Sequence, residues 1–166
     1  MEFSEDVIVE GIAARQARVA FLNMDLIVQA HPLLKSWRMV SSETRGSSCI
    51  SHIELVDKIM GFDVVYRADL IFDPLDPTGD IRFDSEAALS IKVSHTYSFR
   101  DAATAAIISD RVSIHYGWMS FALNFFVNST VRGATRSVLD NMRTILQEQP
   151  AAAADPGIQK VSHEST

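Results

Sequence analysis

Cysteine is almost missing from this chain. Cys49 stands alone, so no internal disulfide can staple the fold, as is usual in a reducing compartment. With no base partner evident in the sequence, Cys49 reads as a small buried hydrophobe rather than a nucleophile. Glycine and proline are few, 7 and 5 in 166 residues, and no low-complexity block or internal repeat is present. No apolar run reaches the roughly 18 residues of a membrane span. The opening segment MEFSEDVIVEG is acidic and lacks the basic, apolar and small-residue order of a secretory signal, so a cytoplasmic protein without an integral membrane segment is expected. Without export, the sequon Asn128-Ser129-Thr130 reads as chance. Basic clusters are missing as well. The 15 Lys and Arg are scattered among 21 Asp and Glu, for a net charge of −6, which argues against nucleic acid as a partner. The histidines at 31, 52, 95, 115 and 163 show no metal-ligand spacing, and there is no nucleophile elbow, Walker loop or dinucleotide-binding turn. No metal and no cofactor is therefore expected.

What is present is apolar side chains, 47% of the chain, enough for one core. The expected boundaries are one domain over 1–149 and a disordered tail over 150–166, where PAAAADPGIQKVSHEST has little to bury. The longest patterned stretch is Trp118 to Glu148. Phe121, Phe125, Val131, Ala134, Val138, Met142 and Ile145 recur there at helical spacing, with Arg132, Arg136, Asp140 and Arg143 between them. Such a stripe needs a partner, and the segments before it read as strands.

The order of those segments can be followed along the chain. Asp6 to Ile12 is a β-branched run that predicts a first strand, followed by short helices over Ala13 to Leu22 and Met24 to Ala30. His31-Pro32 closes the second helix, because the residue before proline is pushed out of the helical region. Long strands then follow from Leu34, from Ser48 after the Arg45-Gly46-Ser47 turn, and from Asp63 after Gly61. In the third of these Val64, Tyr66, Ala68, Leu70 and Phe72 share one face, and Asp63, Arg67, Asp69 and Asp73 the other. Ile81 and Phe83 mark a shorter strand. Leu89, Ile91, Val93, His95, Tyr97 and Phe99 alternate with polar residues, and Ala103 to His115 makes the last strand, with Ile108, Asp110, Val112, Ile114 and then Tyr116 facing inward.

These inner faces are not purely aliphatic. Tyr66, His95, Tyr97 and Tyr116 carry polar atoms that need partners when buried, as in a pocket with apolar walls and a few placed polar groups. The alternative is that the hydroxyls reach the sheet rim and His95 bonds a carbonyl. His95 and Tyr97, two apart on one strand, point to the same face; a histidine there can move a proton and a tyrosine can donate to a substrate oxygen. Asp110 is a second acid/base candidate if it faces inward, and a turn or edge residue otherwise. His52 and Glu54 share a face of their strand, but Ile53 and Leu55 compete for the inward side; Arg38 cannot be placed either. Arg67 and Arg82 fall on the outer parity. Trp37 and Trp118 fit either the wall of a cavity or ordinary core filling.

The opening strand and helix DVIVEGIAARQARVAFLN, the passage HPLLKSWRMV and the closing helix TVRGATRSVLDNMRTILQ resemble the helix-grip superfamily of START domains, birch-pollen-allergen proteins and polyketide cyclases, often abbreviated SRPBCC. The resemblance covers residues 5–148 as an order of elements. It implies an α+β fold in which a bent seven-stranded antiparallel sheet wraps a long C-terminal helix, with two short helices after the first strand. It also implies an apolar cavity for a hydrophobic small molecule. The expected site then joins His95, Tyr97 and Asp110 as catalytic groups with Trp37, Tyr66, Leu70, Phe83, Ile91, Val93, Tyr116, Trp118, Phe121 and Phe125 as ligand contacts. Related cyclases often place an arginine in the cavity, and the outward parity of Arg67 and Arg82 departs from that. The expected function is a cofactor-independent biosynthetic cyclase that folds its substrate, with a non-catalytic lipid or sterol carrier as the alternative; a homodimer stays open.

Overall fold

The computed structural model describes residues 1–59, 61–87, 91–117 and 124–149. The chain runs β1 (Glu2–Glu10), α1 (Ala14–Leu22), α2 (Met24–Ala30), β2 (Leu34–Arg45), β3 (Ser48–Ile59), β4 (Phe62–Phe72), β5 (Ile81–Ala87), β6 (Ile91–Ala102), β7 (Ala105–His115) and α3 (Asn124–Glu148). The seven strands form one sheet in the order β1-β7-β6-β5-β4-β3-β2, every pairing antiparallel. This is the helix-grip arrangement: β1 crosses over to pair β7, and α1 and α2 fill the crossover. The first strand starts earlier than its β-branched run suggests, because Glu2 to Ser4 pair with Arg111 to Ser113 at its outer end. The expected tail over 150–166 lies outside the described residues.

Local chemistry fixes the joints. Gly11, at φ 79°, turns the chain out of β1 in a conformation that side chains with a Cβ rarely adopt. The α1 start is then capped from across the fold, where the Ala14 amide donates to Asp101 Oδ1 at 2.7 Å. Arg18, 4% exposed, donates from Nε to the Gly79 carbonyl at 2.7 Å and from Nη2 to the Asp73 carbonyl at 2.8 Å, which ties the β4–β5 loop to α1. Asn23 caps α2 by accepting from the Asp25 amide. The far end of α2 is held by α3, whose Asn141 Nδ2 donates to the Ala30 carbonyl at 2.7 Å.

Inner parity follows the sequence pattern closely in β4, β6 and β7. Ala106, Ile108, Asp110, Val112 and Ile114 are all buried, while their neighbours alternate outward. Strand β3 resolves the ambiguity at His52 and Glu54. Ser51, Ile53, Leu55 and Asp57 are buried, and His52 and Glu54 lie on the outer face, where His52 Nδ1 meets Asp69 Oδ1 at 2.6 Å and Arg38 Nε meets Glu54 Oε1 at 2.7 Å. Arg67 and Arg82 are exposed as their parity required. Cys49 is only half-buried, near the β2–β3 hairpin, with Ser42 Oγ 3.6 Å from its Sγ.

On α3 the buried face is Thr135, Val138, Leu139, Met142 and Leu146, so the stripe runs one position wider than the Val131–Ile145 pattern by taking in Leu139 and Leu146. This face packs on β1, β7 and α2. Among the described residues no helix is long and apolar enough to cross a membrane.

Candidate functional site

Between α3, α2 and the concave face of β3–β6 lies a cavity of about 250 Å³. Its walls are built by the inward residues of four neighbouring strands, roofed by Val127, Val131, Ala134 and Val138 of α3 and closed at one side by Phe21 of α1 and Met24 of α2. Of the residues expected from the sequence, Tyr66, Leu70, Phe83, Ile91, Val93, His95 and Tyr97 line it. Asp110 does not line it but lies directly behind His95. Trp37 packs against the main core and donates from Nε1 to Asp25 Oδ1 at 2.8 Å, bridging β2 and α2 instead of facing the cavity. Tyr116 belongs to a separate apolar cluster with Ile91, Val112 and Ile114, and its hydroxyl donates to Asn128 Oδ1. Trp118 and Phe121 lie outside the described residues, and Phe125 falls on the first turn of α3.

Strand register explains the central group. Tyr97 is the cross-strand partner of Asp110, and His95, two residues on, is the partner of Val112, so all three side chains share the inner face. His95 Nδ1 sits 2.8 Å from Asp110 Oδ2. A carboxylate only accepts, so Nδ1 carries the proton and Nε2 is left bare in the neutral ring. No described residue partners Nε2, and the ring lines the cavity. It is stacked on Tyr97, centroids 5.9 Å apart at 12°, and meets Phe83 edge-on, which fixes its plane. Asp110 is 0% exposed, and its Oδ1 has no partner within hydrogen-bonding distance. The Tyr97 phenol turns toward the same carboxylate at longer range. Burial holds it well above its ordinary pKa, and the Asp110 charge and hydrogen bond raise it further. The phenol therefore stays protonated.

A second histidine, read in the sequence only as a helix stop, also lines the cavity. His31 Nδ1 accepts from the Leu33 and Leu34 amides at 3.2 and 3.0 Å, so the ring proton sits on Nε2. Burial, and then the nearby His95, push its pKa down to about 4. His31 is thus a neutral donor in a cavity where the neutral form of the His95 ring offers an acceptor. Its signal in the sequence was weak, because a histidine before proline at a helix end has a sufficient structural reason to be there.

The other unexpected group is Asp57. It is 6% exposed, lines the cavity, and accepts from the Tyr66 hydroxyl at Oδ2, 3.1 Å away. Burial raises its pKa, partly countered by the Tyr66 hydrogen bond, and burial together with the Asp57 charge raises that of the Tyr66 phenol. No Arg or Lys lines the cavity among the described residues, and no group of three His, Cys, Asp or Glu that could hold a metal occurs among them.

No family model matches the sequence, and no curated protein matches it. Solved structures do match in fold. An aromatase/cyclase from a Streptomyces strain is 10% identical, with 93% of this chain and 97% of that one covered at a TM-score of 0.69. The di-domain aromatase/cyclase StfQ of the steffimycin biosynthetic pathway is 12% identical over 90% of this chain and 52% of its own, at 0.71. A START superfamily protein from Mycobacterium smegmatis is 14% identical over 87% and 98%, at 0.60. At such identities the likeness is one of fold, and the fold is the helix grip of START proteins and aromatase/cyclases.

Proposed function

We propose that this helix-grip chain encloses a largely apolar small molecule and acts on it as a cofactor-independent, cyclase-type enzyme. The observation that carries the reading is the His95–Asp110 pair at 2.8 Å, with the bare Nε2 on the cavity side. His95 Nε2 takes a proton from the bound molecule, and Asp110 stabilises the imidazolium that forms. The His31 Nε2–H is a donor for an oxygen on which charge develops, and apolar walls keep water out and fold the chain of the substrate. Tyr97 stacks on the His95 ring and holds its plane. The cyclase and START titles of the fold relatives support a hydrophobic ligand of this kind without choosing among them.

A carrier is the second reading, favoured by the outward Arg67 and Arg82, which leave the described cavity wall without a cation. The two readings separate in native mass spectrometry of wild type and His95→Phe purified from their own host, followed by extraction and identification of the released molecule. The enzyme reading expects the variant to hold an uncyclised precursor that wild type lacks. One and the same cargo in both proteins, at equal occupancy, would establish the carrier.

A further inference from the structure

The catalytic proposal uses one end of the cavity and leaves Asp57 unexplained. A buried carboxylate is costly unless its oxygens are satisfied, and Asp57 Oδ1 has no partner among the described residues. On the helix side of the same cavity, Thr135 is 3% exposed and its Oγ1 also lacks a partner. Two orphaned polar atoms on opposite walls of one apolar cavity are a provision for a ligand group. From this pairing we infer that the Asp57–Tyr66 end is a second polar station, which takes a neutral hydroxyl of the ligand: the ligand hydroxyl donates to Asp57 Oδ1 and accepts from the Thr135 hydroxyl.

The chemistry selects this class over its neighbours. A ligand carboxylate would meet Asp57 at one station and Asp110 behind the other, with no Arg or Lys along the described walls to offset it. An ammonium has three donors, and the free atoms at this end are one carboxylate oxygen and one hydroxyl, so at least one N–H would be left without a partner. A hydroxyl has one donor and spare lone pairs, which matches one free carboxylate oxygen and one free hydroxyl. The two stations also read different parts of the ligand. Phe83 pairs with both His95 and Leu70, and Tyr66 lies four residues further along β4, so His95 and Tyr66 are two strands and four positions apart, roughly 15 Å along the sheet. The ligand is therefore an elongated apolar molecule with its reactive portion at His95 and an alcohol at Asp57.

This inference rests on the cavity reading above, and the test keeps the two apart. Displacement of diphenylhexatriene from the full-length protein is measured with 1-decanol, decylamine and decanoate. Decanol is expected to bind at least tenfold tighter than decanoate and severalfold tighter than decylamine. In Asp57→Leu and in Thr135→Val the decanol advantage should fall at least fivefold, with dye binding retained. The milder Asp57→Asn, which keeps the shape and the Tyr66 partner, should raise the melting temperature of the ligand-free protein while it weakens decanol. Equal affinities for the three probes, or a decanol preference that survives in the variants, would overturn the second station but leave the cavity. Failure of the dye and all probes to bind would overturn both.

Discussion

Replacing His95 alone should damage the fold more than replacing it together with Asp110. Asp110 is 0% exposed, and its one short side-chain hydrogen bond is the 2.8 Å contact with His95 Nδ1. His95→Phe preserves the stack on Tyr97 and the edge contact with Phe83 but strands a carboxylate in the core. Breaking a buried pair in this way costs about 3 kcal/mol or more. Asp110→Leu removes the partner of a ring that is still partly open to the cavity, so its cost should be smaller, about 1 kcal/mol. In the double variant nothing polar is stranded, and an apolar replacement of similar volume is often neutral or stabilising. The expected stability is within about 1 kcal/mol of wild type, which gives a coupling of about 3 kcal/mol in a double-mutant cycle. Urea unfolding of the four proteins at pH 7 measures it. If the single effects add to within about 0.5 kcal/mol, His95 and Asp110 are not a coupled pair and the proton-transfer assignment loses its basis. Stability kept by the double variant alongside lost turnover would show that the pair is retained for chemistry.

Other consequences can be checked on the same material. An unfolded histidine titrates near 6.5 and folded His31 near 4, so only the unfolded chain takes up this proton as pH falls between them. His31 therefore lowers stability progressively below pH 6.5, by about 3 kcal/mol at the bottom of that window, with no effect above it. His31→Asn keeps an acceptor for the Leu33 and Leu34 amides and should flatten the slope between pH 7 and 4.5; an unaltered slope would assign the proton uptake elsewhere. Val138, 3% exposed on the cavity side of α3, should not tolerate a charge: Val138→Asp is expected to lose more than about 3 kcal/mol, and a variant of wild-type stability would refute the packing of that face. Ala103 turns the β6–β7 hairpin at φ 48°, where glycine is unstrained, so Ala103→Gly should gain about 0.5 kcal/mol in urea unfolding, and a loss of that size would mean the turn is not strained.

The candidate site was legible in the sequence where one strand showed clean alternation. His95 and Tyr97 sit in β6, where apolar residues occupy one parity almost without exception, so their direction could be read from their neighbours, whereas Ala105 and Ile107 blur the alternation of β7 and left Asp110 open. Strand β3 offered no such guide. Ile50 and Val56 stand on one parity and Ile53 and Leu55 on the other, and only the pairing of Ile53 with Ala68 and Leu55 with Tyr66 turns the second set inward. Asp57 follows that set into the cavity and could not be singled out beforehand. Tyr116 illustrates the opposite error, since an inward parity at the end of a strand leads to a neighbouring cluster as readily as to the cavity, while Trp37, open between cavity wall and core filling, packs on the core.

The sequence by itself determined the class of the protein and the order of its elements, because hydrophobic periodicity and turn residues are local properties written along the chain. It also set an expectation against nucleic-acid binding and dinucleotide chemistry, because those need charges or glycines at set spacings. Only the tertiary structure decided which polar groups meet. The His95–Asp110 pair joins residues 15 apart, the Tyr66–Asp57 pair residues 9 apart, and His31 reaches the same cavity from a different layer. Hydrogen bonding and burial at these places depend on sheet register and on the stand-off of α3 from the sheet, and both arise from packing between segments distant in sequence.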